Sequence, residues 1–218
     1  MEHQLSPSDL HKHAQFELIQ AVPYAEMKDF VLTELKFNGP LIKIYSFVQL
    51  FAAIGLIGIV LFYLMQSVQS KSFAPELLNL FLAAVCSIPI LIPLHEGIHA
   101  LAYLIKGKRD LSFGAQWKKF LFYAESNMQV LDRREMQFVA LLPLITITVL
   151  GTIGMIVFSA SWLKLFCCIL SLIHLFFCSG DMVILSFFQR QLPNEVFTYD
   201  NRKEKKTYYF RKRASITV

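Results

Sequence analysis

The chain has 218 residues, of which 55% are hydrophobic and 17% are charged, and its mean hydropathy is +0.48. A soluble domain carries about 25% charged residues. This composition therefore excludes an ordinary soluble globular protein and predicts a protein that crosses a membrane several times. The formal net charge is +5, and its distribution along the chain is more informative than its sum.

The first 40 residues are polar and predict one or two short cytoplasmic helices on the membrane surface. No cleavable signal peptide is expected, because the first apolar run starts too late. The chain then divides into a cytoplasmic N-terminal segment (1–40), a four-helix transmembrane domain (41–190) and a basic cytoplasmic tail (191–218). No polar stretch is long enough to build a separate core, so we expect a single membrane domain.

Four apolar segments each reach the roughly 20 residues that a membrane-spanning helix needs. They run from about Ile44 to Met65, Leu77 to Ile105, Met136 to Ala160 and Trp162 to Phe188. The second segment contains Pro89 and Pro93, which predict a kink or break just before residue 95. The predicted fold class is an all-α membrane protein with about four transmembrane helices.

Lys and Arg are distributed very unevenly between the connections. Of the 21 such residues, only Lys71 and Lys164 lie in the first and third connections, and the other 19 lie in the two terminal segments and the middle loop. The positive-inside rule then places both termini and the middle loop in the cytoplasm, for a protein of the bacterial plasma membrane. The basic tail is expected to contact anionic lipid headgroups rather than nucleic acid.

The second apolar segment contains the string His95-Glu96-Gly97-Ile98-His99. Two imidazoles four residues apart lie on one face of a helix, at the spacing that holds one metal ion. The carboxylate of Glu96 is placed to accept a proton from a water at that metal. Ionisable groups at membrane depth are costly and by default suggest function. The alternative is that the two histidines are buried polar residues that hydrogen-bond to helix backbones.

A catalytic zinc site usually has three protein ligands, and Asp181 is a carboxylate inside the apolar segments that qualifies as the third. His99 lies seven residues before Lys106, and Asp181 lies nine before Arg190. At 1.5 Å per residue, the two side chains lie about 10 and 13 Å from the cytoplasmic ends of their helices. They are therefore level in the membrane, which favours a shared ion near the cytoplasmic side.

Two other residues of the fourth segment are candidates for a supporting role. His174 lies seven residues before Asp181, on about the same helix face, where it is either an outer partner that orients a ligand or a packed histidine. Cys178 is either a thiolate ligand in place of Asp181 or a small residue at a helix contact. The four cysteines suggest no disulfide framework. Gly151, Gly154 and Gly180 predict close helix approach.

The middle loop, from Asp110 to Ala124, partly alternates apolar and polar residues and predicts a short β-hairpin with a turn near Gly114. Metalloproteases commonly bind a substrate as an extended strand beside a sheet edge. The alternative is an interfacial loop in which Trp117, Phe120 and Tyr123 contact lipid headgroups.

Four motifs in order resemble a bacterial family of zincin peptidases, long listed as a domain of unknown function. They are His95-Glu-Gly-Ile-His-Ala, Phe122-Tyr-Ala, Leu141-Leu-Pro-Leu-Ile and Ser179-Gly-Asp. The family's layout is similar to that of site-2 protease type intramembrane metalloproteases, and the resemblance covers roughly residues 77–201. It implies zinc ligands at His95, His99 and Asp181, with Glu96 as general base. The Asn-x-x-Pro-Asp-Gly signature of site-2 proteases is replaced here by Cys-Ser-Gly-Asp-Met.

The sequence thus favours a zinc-dependent intramembrane metallopeptidase that hydrolyses peptide bonds of membrane-associated substrates. Two imidazoles and a carboxylate suit zinc. The expected partners are the lipid bilayer and a membrane protein or peptide substrate, with no nucleic acid. The rival interpretations are a non-catalytic metal-binding membrane protein and an inactive protease homologue that regulates membrane proteins.

Overall fold

A computed structural model describes residues 5–37, 39–70, 74–116 and 121–213. The α-helices in these ranges are α1 Pro7–Lys12, α2 Met27–Leu35, α3 Pro40–Ser70, α4 Ala74–Ile105, α5 Arg133–Val157, α6 Ser161–Phe177 and α7 Ser179–Arg190. The strands are β1 Phe16–Pro23, β2 Leu111–Gln116, β3 Leu121–Ser126, β4 Leu131–Asp132, β5 Val196–Asn201 and β6 Lys206–Lys212. The protein is mostly helical, as its composition predicts, with a small β component.

Three helices in the described ranges, α3, α4 and α5, are long and apolar enough to cross a membrane. Helices α6 and α7 pass the same test only as a pair, bent by 40°. Helix α4 continues without a break through Pro89 and Pro93, so of the kink or break expected before residue 95 only the break is excluded. The interruption lies instead between α6 and α7, at Cys178.

Glycines of α5 allow α6 to approach closely. A Cβ on Gly151 would lie 1.9 Å from Ser171 Oγ, and one on Gly154 would lie 2.6 Å from Cys167 Sγ. Both positions therefore confirm the predicted close helix contact. At Gly180 the prediction is wrong, because no other helix among the described residues comes within 4 Å of a Cβ built there, and this residue borders a cavity instead.

The terminal segments and the short strand β4 before α5 form a four-stranded antiparallel sheet, the terminal sheet, with the strand order β1-β6-β5-β4. The N-terminal segment therefore contains the strand β1 besides its predicted short helices, and the basic tail contributes the strands β5 and β6. Side chains alternate between the two faces of a strand. Tyr208 and Phe210 pack towards α1, whereas Tyr209 packs against α2 and α7, so this sheet has apolar contacts on both faces.

The middle loop contains the predicted hairpin. Strands β2 and β3 pair in antiparallel register from Leu111–Ser126 to Gln116–Leu121. The turn is later than expected, since Gly114 lies within β2 opposite Tyr123. The ring of Tyr123 packs on Tyr24 at 5.3 Å between centroids. The alternative role of Trp117 and Phe120 as headgroup anchors falls outside the described residues.

Candidate metal centre

Three side chains predicted to share a metal ion converge where α4 meets α7. His95 Nε2 lies 3.0 Å from His99 Nε2 and 3.3 Å from Asp181 Oδ2. The other carboxylate oxygen, Asp181 Oδ1, lies 3.4 Å from His99 Nε2. The two histidines are one helical turn apart on α4, and Asp181 lies in the first turn of α7. Both imidazoles are buried, with 6% and 7% of their residue surface exposed.

The outer nitrogens of both imidazoles are held by other groups. His99 Nδ1 lies 3.0 Å from the carbonyl oxygen of Val139 on α5, so this nitrogen carries the proton and Nε2 carries a lone pair in the neutral ring. His95 Nδ1 lies 3.0 Å from His174 Nε2. Hydrogen bonds of this kind fix the tautomer and orientation of metal-binding histidines.

These donor atoms fit a zinc ion. Ligands at about 2.0–2.1 Å from a tetrahedral zinc lie about 3.3–3.4 Å from one another, close to the observed separations of 3.0, 3.3 and 3.4 Å. Asp181 Oδ2 is also buried without a hydrogen-bond partner in the described residues. A buried carboxylate beside an imidazole lone pair needs a cation to balance it. His95, His99 and Asp181 would therefore hold the ion.

Glu96 lies next to this group and faces the same space. Its Oε2 is buried and has no hydrogen-bond partner in the described ranges, and its carboxylate reaches the backbone of Ala124 in β3. Glu96 thus lies between the metal-binding face of α4 and the β-hairpin. A carboxylate with a free oxygen beside the ligand set can accept a proton from a water molecule in the cavity.

His95, His174 and Cys178 form a second group whose ligand atoms lie close together. Cys178 Sγ is 3.4 Å from His174 Nε2, and both residues are completely buried. His95, His99, Asp181 and Glu96 border the cavity, but His174 and Cys178 do not. The histidine–cysteine group therefore lies behind the first group and is shielded from a substrate in the cavity.

The interruption between α6 and α7 presents Asp181 at the start of a helix. Ending α6 at Phe177 leaves carbonyl groups without helical partners, and such groups are costly at membrane depth. Two side chains of α3 donate hydrogen bonds here: Tyr45 to the carbonyl oxygen of Leu175, and Gln49 to Ser179 Oγ at 2.7 Å. Helix α3 therefore stabilises the interruption that positions Asp181.

A cavity of about 580 Å³ extends from this group to the terminal sheet. Its walls come from α2, the four helices α4 to α7, the hairpin and the sheet. Most of the lining is apolar or aromatic, which is typical of ligand-binding cavities. The site is therefore a candidate active site with room for a peptide segment rather than a closed structural metal site.

Polar residues at the sheet end of the cavity were not predicted. Burial raises the pKa of Asp200 to about 6, with a further increase from Glu125. Burial also raises the pKa of Tyr24 above its usual range. It opposes ionisation of Glu125, but hydrogen bonds from Ser112 and Arg202 and the nearby hydroxyl of Tyr24 outweigh it and lower the pKa of that carboxyl.

Tyr103 is a further cavity residue that the sequence interpretation missed. It lies four residues after His99, so the helical spacing of His95 and His99 extends to it. This spacing of four residues was the feature of the sequence that could have identified Tyr103. Asp200 gave no comparable signal, because its position depends on how the terminal strands pair.

The fold is mostly helical with apolar helices of membrane-spanning length, and a group of two histidines and a carboxylate borders its cavity. This combination is typical of a membrane metallohydrolase. The family model described as "Putative zincin peptidase" matches residues 88–196, half of the chain. The chain belongs to this family, in agreement with the resemblance drawn from its motifs. No curated protein and no solved structure matches the chain.

Proposed function

We propose that the protein is a zinc-dependent intramembrane metallopeptidase that cleaves membrane-associated protein or peptide substrates. The observation that carries this proposal is the convergence of His95, His99 and Asp181 beside Glu96 at a cavity bordered by a β-strand. A structural metal site closes around its ion, whereas a catalytic one leaves space for water and substrate. The cavity beside these residues leaves such space, as a catalytic site does.

The protein's own groups supply the proton transfers. Zinc, when bound, polarises a carbonyl group and lowers the pKa of a coordinated water. Glu96 accepts the proton that the attacking water loses and then donates it to the leaving amine nitrogen. The Val139 carbonyl and His174 keep the two imidazoles oriented throughout.

The hairpin supports binding of an extended substrate. Among the described strands, β3 pairs only with β2, and the residues from Phe122 to Glu125 border the cavity. A peptide placed along β3 would bring its backbone beside Glu96, because Glu96 already contacts the backbone of Ala124. An extended peptide bond is accessible to attack, whereas a helical one is protected by its hydrogen bonds.

The deciding experiment compares wild-type protein with the Glu96→Gln variant. Both are reconstituted in lipid vesicles with candidate single-span membrane proteins, and cleavage and bound zinc are measured. We expect cleavage by the wild type, no cleavage by the variant, and equal zinc content. Cleavage that persists in Glu96→Gln would overturn the mechanism. Zinc bound without any cleavage by the wild type would favour a non-catalytic metal-binding role.

A further inference from the structure

The cavity has a second polar end at the terminal sheet, away from the metal centre. Tyr24, Glu125 and Asp200 border this region, which we name the acidic end. The buried Tyr103 lies between the two ends, within electrostatic range of Asp181 and Glu96 and also of Asp200. One continuous cavity therefore joins the metal centre to the acidic end.

The acidic end contains a carboxylate, that of Asp200, without an ion-pair partner among the described residues. Asp200 accepts a hydrogen bond of 2.7 Å from Thr207 Oγ1 and is held by the backbone of Ser126. Among the residues that the structure describes, no Lys, Arg or His forms an ion pair with it. Glu125 differs, because Arg202 Nε donates a hydrogen bond of 2.6 Å to its Oε1. The Asp200 carboxylate is thus the group that lacks a cationic partner.

A second observation at the acidic end also points to a ligand. Tyr24 and Glu125 are 8% and 4% exposed, and both border the cavity. The hydroxyl of Tyr24 and Oε2 of Glu125 approach each other, but neither makes a hydrogen bond of good geometry to any described residue. Buried polar atoms are normally hydrogen-bonded. These two atoms and Asp200 therefore offer acceptors to a donor that enters the cavity.

We propose that the acidic end binds a cationic group of the peptide substrate, either a Lys or Arg side chain or a free N-terminal amine. An ammonium or guanidinium group would donate hydrogen bonds to Asp200 and Glu125, and the phenol rings nearby would add cation–π attraction. This inference rests on the proposed peptidase function and deepens it, because it names the class of substrate.

The positions of the two ends limit where the basic group lies in the substrate. His95 and Tyr103 are eight residues apart on α4, which corresponds to about 12 Å along the helix. An extended peptide covers that distance in about four residues. Because the acidic end lies beyond Tyr103, the basic group is expected several residues away from the bond that is cleaved rather than beside it.

The test measures peptide binding by the zinc-loaded, full-length Glu96→Gln protein in lipid nanodiscs, with fluorescence anisotropy as the readout. The probes are N-acetylated octapeptides of Ala and Leu that carry one Lys, placed at each position in turn, and the same peptides with Gln in its place. A third set has Gln and a free N-terminus, which separates the amine from the side chain. We expect one cationic set to bind about ten- to hundredfold more tightly than its neutral counterpart.

The Asp200→Asn change, added to the same protein, should reduce this preference to less than about twofold, because the charge is lost. Binding of the Gln peptides should stay unchanged. The matched control is Asp29→Asn, which removes the same charge from an exposed residue of α2 that does not border the cavity. It should keep the preference. A preference that survives in Asp200→Asn would overturn the proposal.

Equal binding of cationic and neutral peptides to the parent protein at every position would also overturn the proposal. That comparison needs no change at Asp200 and decides the matter even if the Asp200→Asn variant does not fold. Cleavage of the same peptides by wild-type protein separates the two proposals. Charge-dependent binding without cleavage contradicts the peptidase function alone, and cleavage without any charge preference contradicts the cation site alone.

Discussion

The Nδ1 atom of His95 lies 3.0 Å from Nε2 of His174, which is completely buried on α6. His174 in turn lies 3.4 Å from the sulfur of Cys178. This row of side chains connects the candidate metal centre to the point where α6 ends. The orientation of the first histidine therefore depends on a helix that supplies no ligand itself.

Replacing His174 with Ala should weaken zinc binding about 10- to 100-fold, because His95 loses the group that orients its ring. Zinc affinity of the purified protein is measured by competition with a chromophoric chelator. The matched control is Ser171→Ala, three residues earlier on α6, where the hydroxyl donates a hydrogen bond to the carbonyl oxygen of Cys167 in its own helix. An unchanged affinity in the His174 variant would show that His174 only fills space.

Asp181→Asn and Cys178→Ser together identify the third ligand. If Asp181 binds the ion, Asp181→Asn should remove most of the bound zinc and all cleavage, because the amide carries no charge. Cys178→Ser should retain the zinc, since the thiol lies away from the cavity. Metal content is measured by mass spectrometry after dialysis. The opposite result, with zinc lost only in Cys178→Ser, would assign the ion to the His95–His174–Cys178 group.

Tyr45→Phe and Gln49→Leu should lower the stability of the fold, because each removes a hydrogen bond at the interruption between α6 and α7. We expect a loss of about 0.5–1.5 kcal/mol per variant and weaker zinc binding, since Asp181 follows this interruption directly. Thermal unfolding and chelator competition measure the two effects. Gln66→Leu, at an exposed position of α3, is the control and should change neither.

Ionisation of the Asp200 carboxyl should make the free energy of unfolding depend on pH. Its pKa is raised from 3.8 to about 6, chiefly by burial. The folded chain thus holds the proton more tightly than the unfolded chain, and the free energy of unfolding falls as the pH rises through this range. The full effect is at most about 3 kcal/mol.

Asp200→Asn should remove that dependence. In metal-free protein, the variant should be more stable than the wild type at pH 7.5, and the difference should shrink towards pH 4. Thermal unfolding at several pH values measures it, with Asp29→Asn as the control that follows the wild type. A variant less stable than the wild type at pH 7.5 would mean that the ionised carboxylate is favourable in the fold.

The arrangement of strands supports four membrane crossings. Strand β1 precedes α3, β4 lies between α4 and α5, and β6 follows α7, yet all three belong to one sheet. A hydrogen-bonded sheet cannot be divided by a bilayer, so an even number of crossings must separate these strands. Helices α3 and α4 supply two, and α5 with the bent pair α6–α7 would supply the other two.

Accessibility of introduced cysteines tests this topology and the predicted cytoplasmic termini. Starting from protein with Cys86, Cys167 and Cys168 replaced by Ala, a cysteine at Ser159 should react with an impermeant maleimide in intact cells. A cysteine at Lys203 should react only after lysis. The parent without an added cysteine gives the background. Labelling of the Lys203 position from outside would contradict four crossings with both ends inside.

The sequence by itself determined the helical class, the apolar segments and the candidate metal-binding residues. Hydrophobicity over about 20 residues is a local property, and the spacing of His95 and His99 follows from helix geometry alone. The depth of Asp181 was also predictable, because helical rise and basic flanking residues measure depth. The rotation of α7 about its axis was not, since it depends on packing against α5 and α3.

Only the tertiary structure decided the sheet, the role of α3 and the acidic end of the cavity. The run from Thr207 to Phe210 lies among basic residues and alternates weakly, because the β6 strand is buried on both faces. Tyr45 and Gln49 matter through contacts made across about 130 residues of chain. Asp200 reaches the cavity only because strand pairing places it there. Local pattern thus specified which groups are present, and long-range packing decided which of them meet.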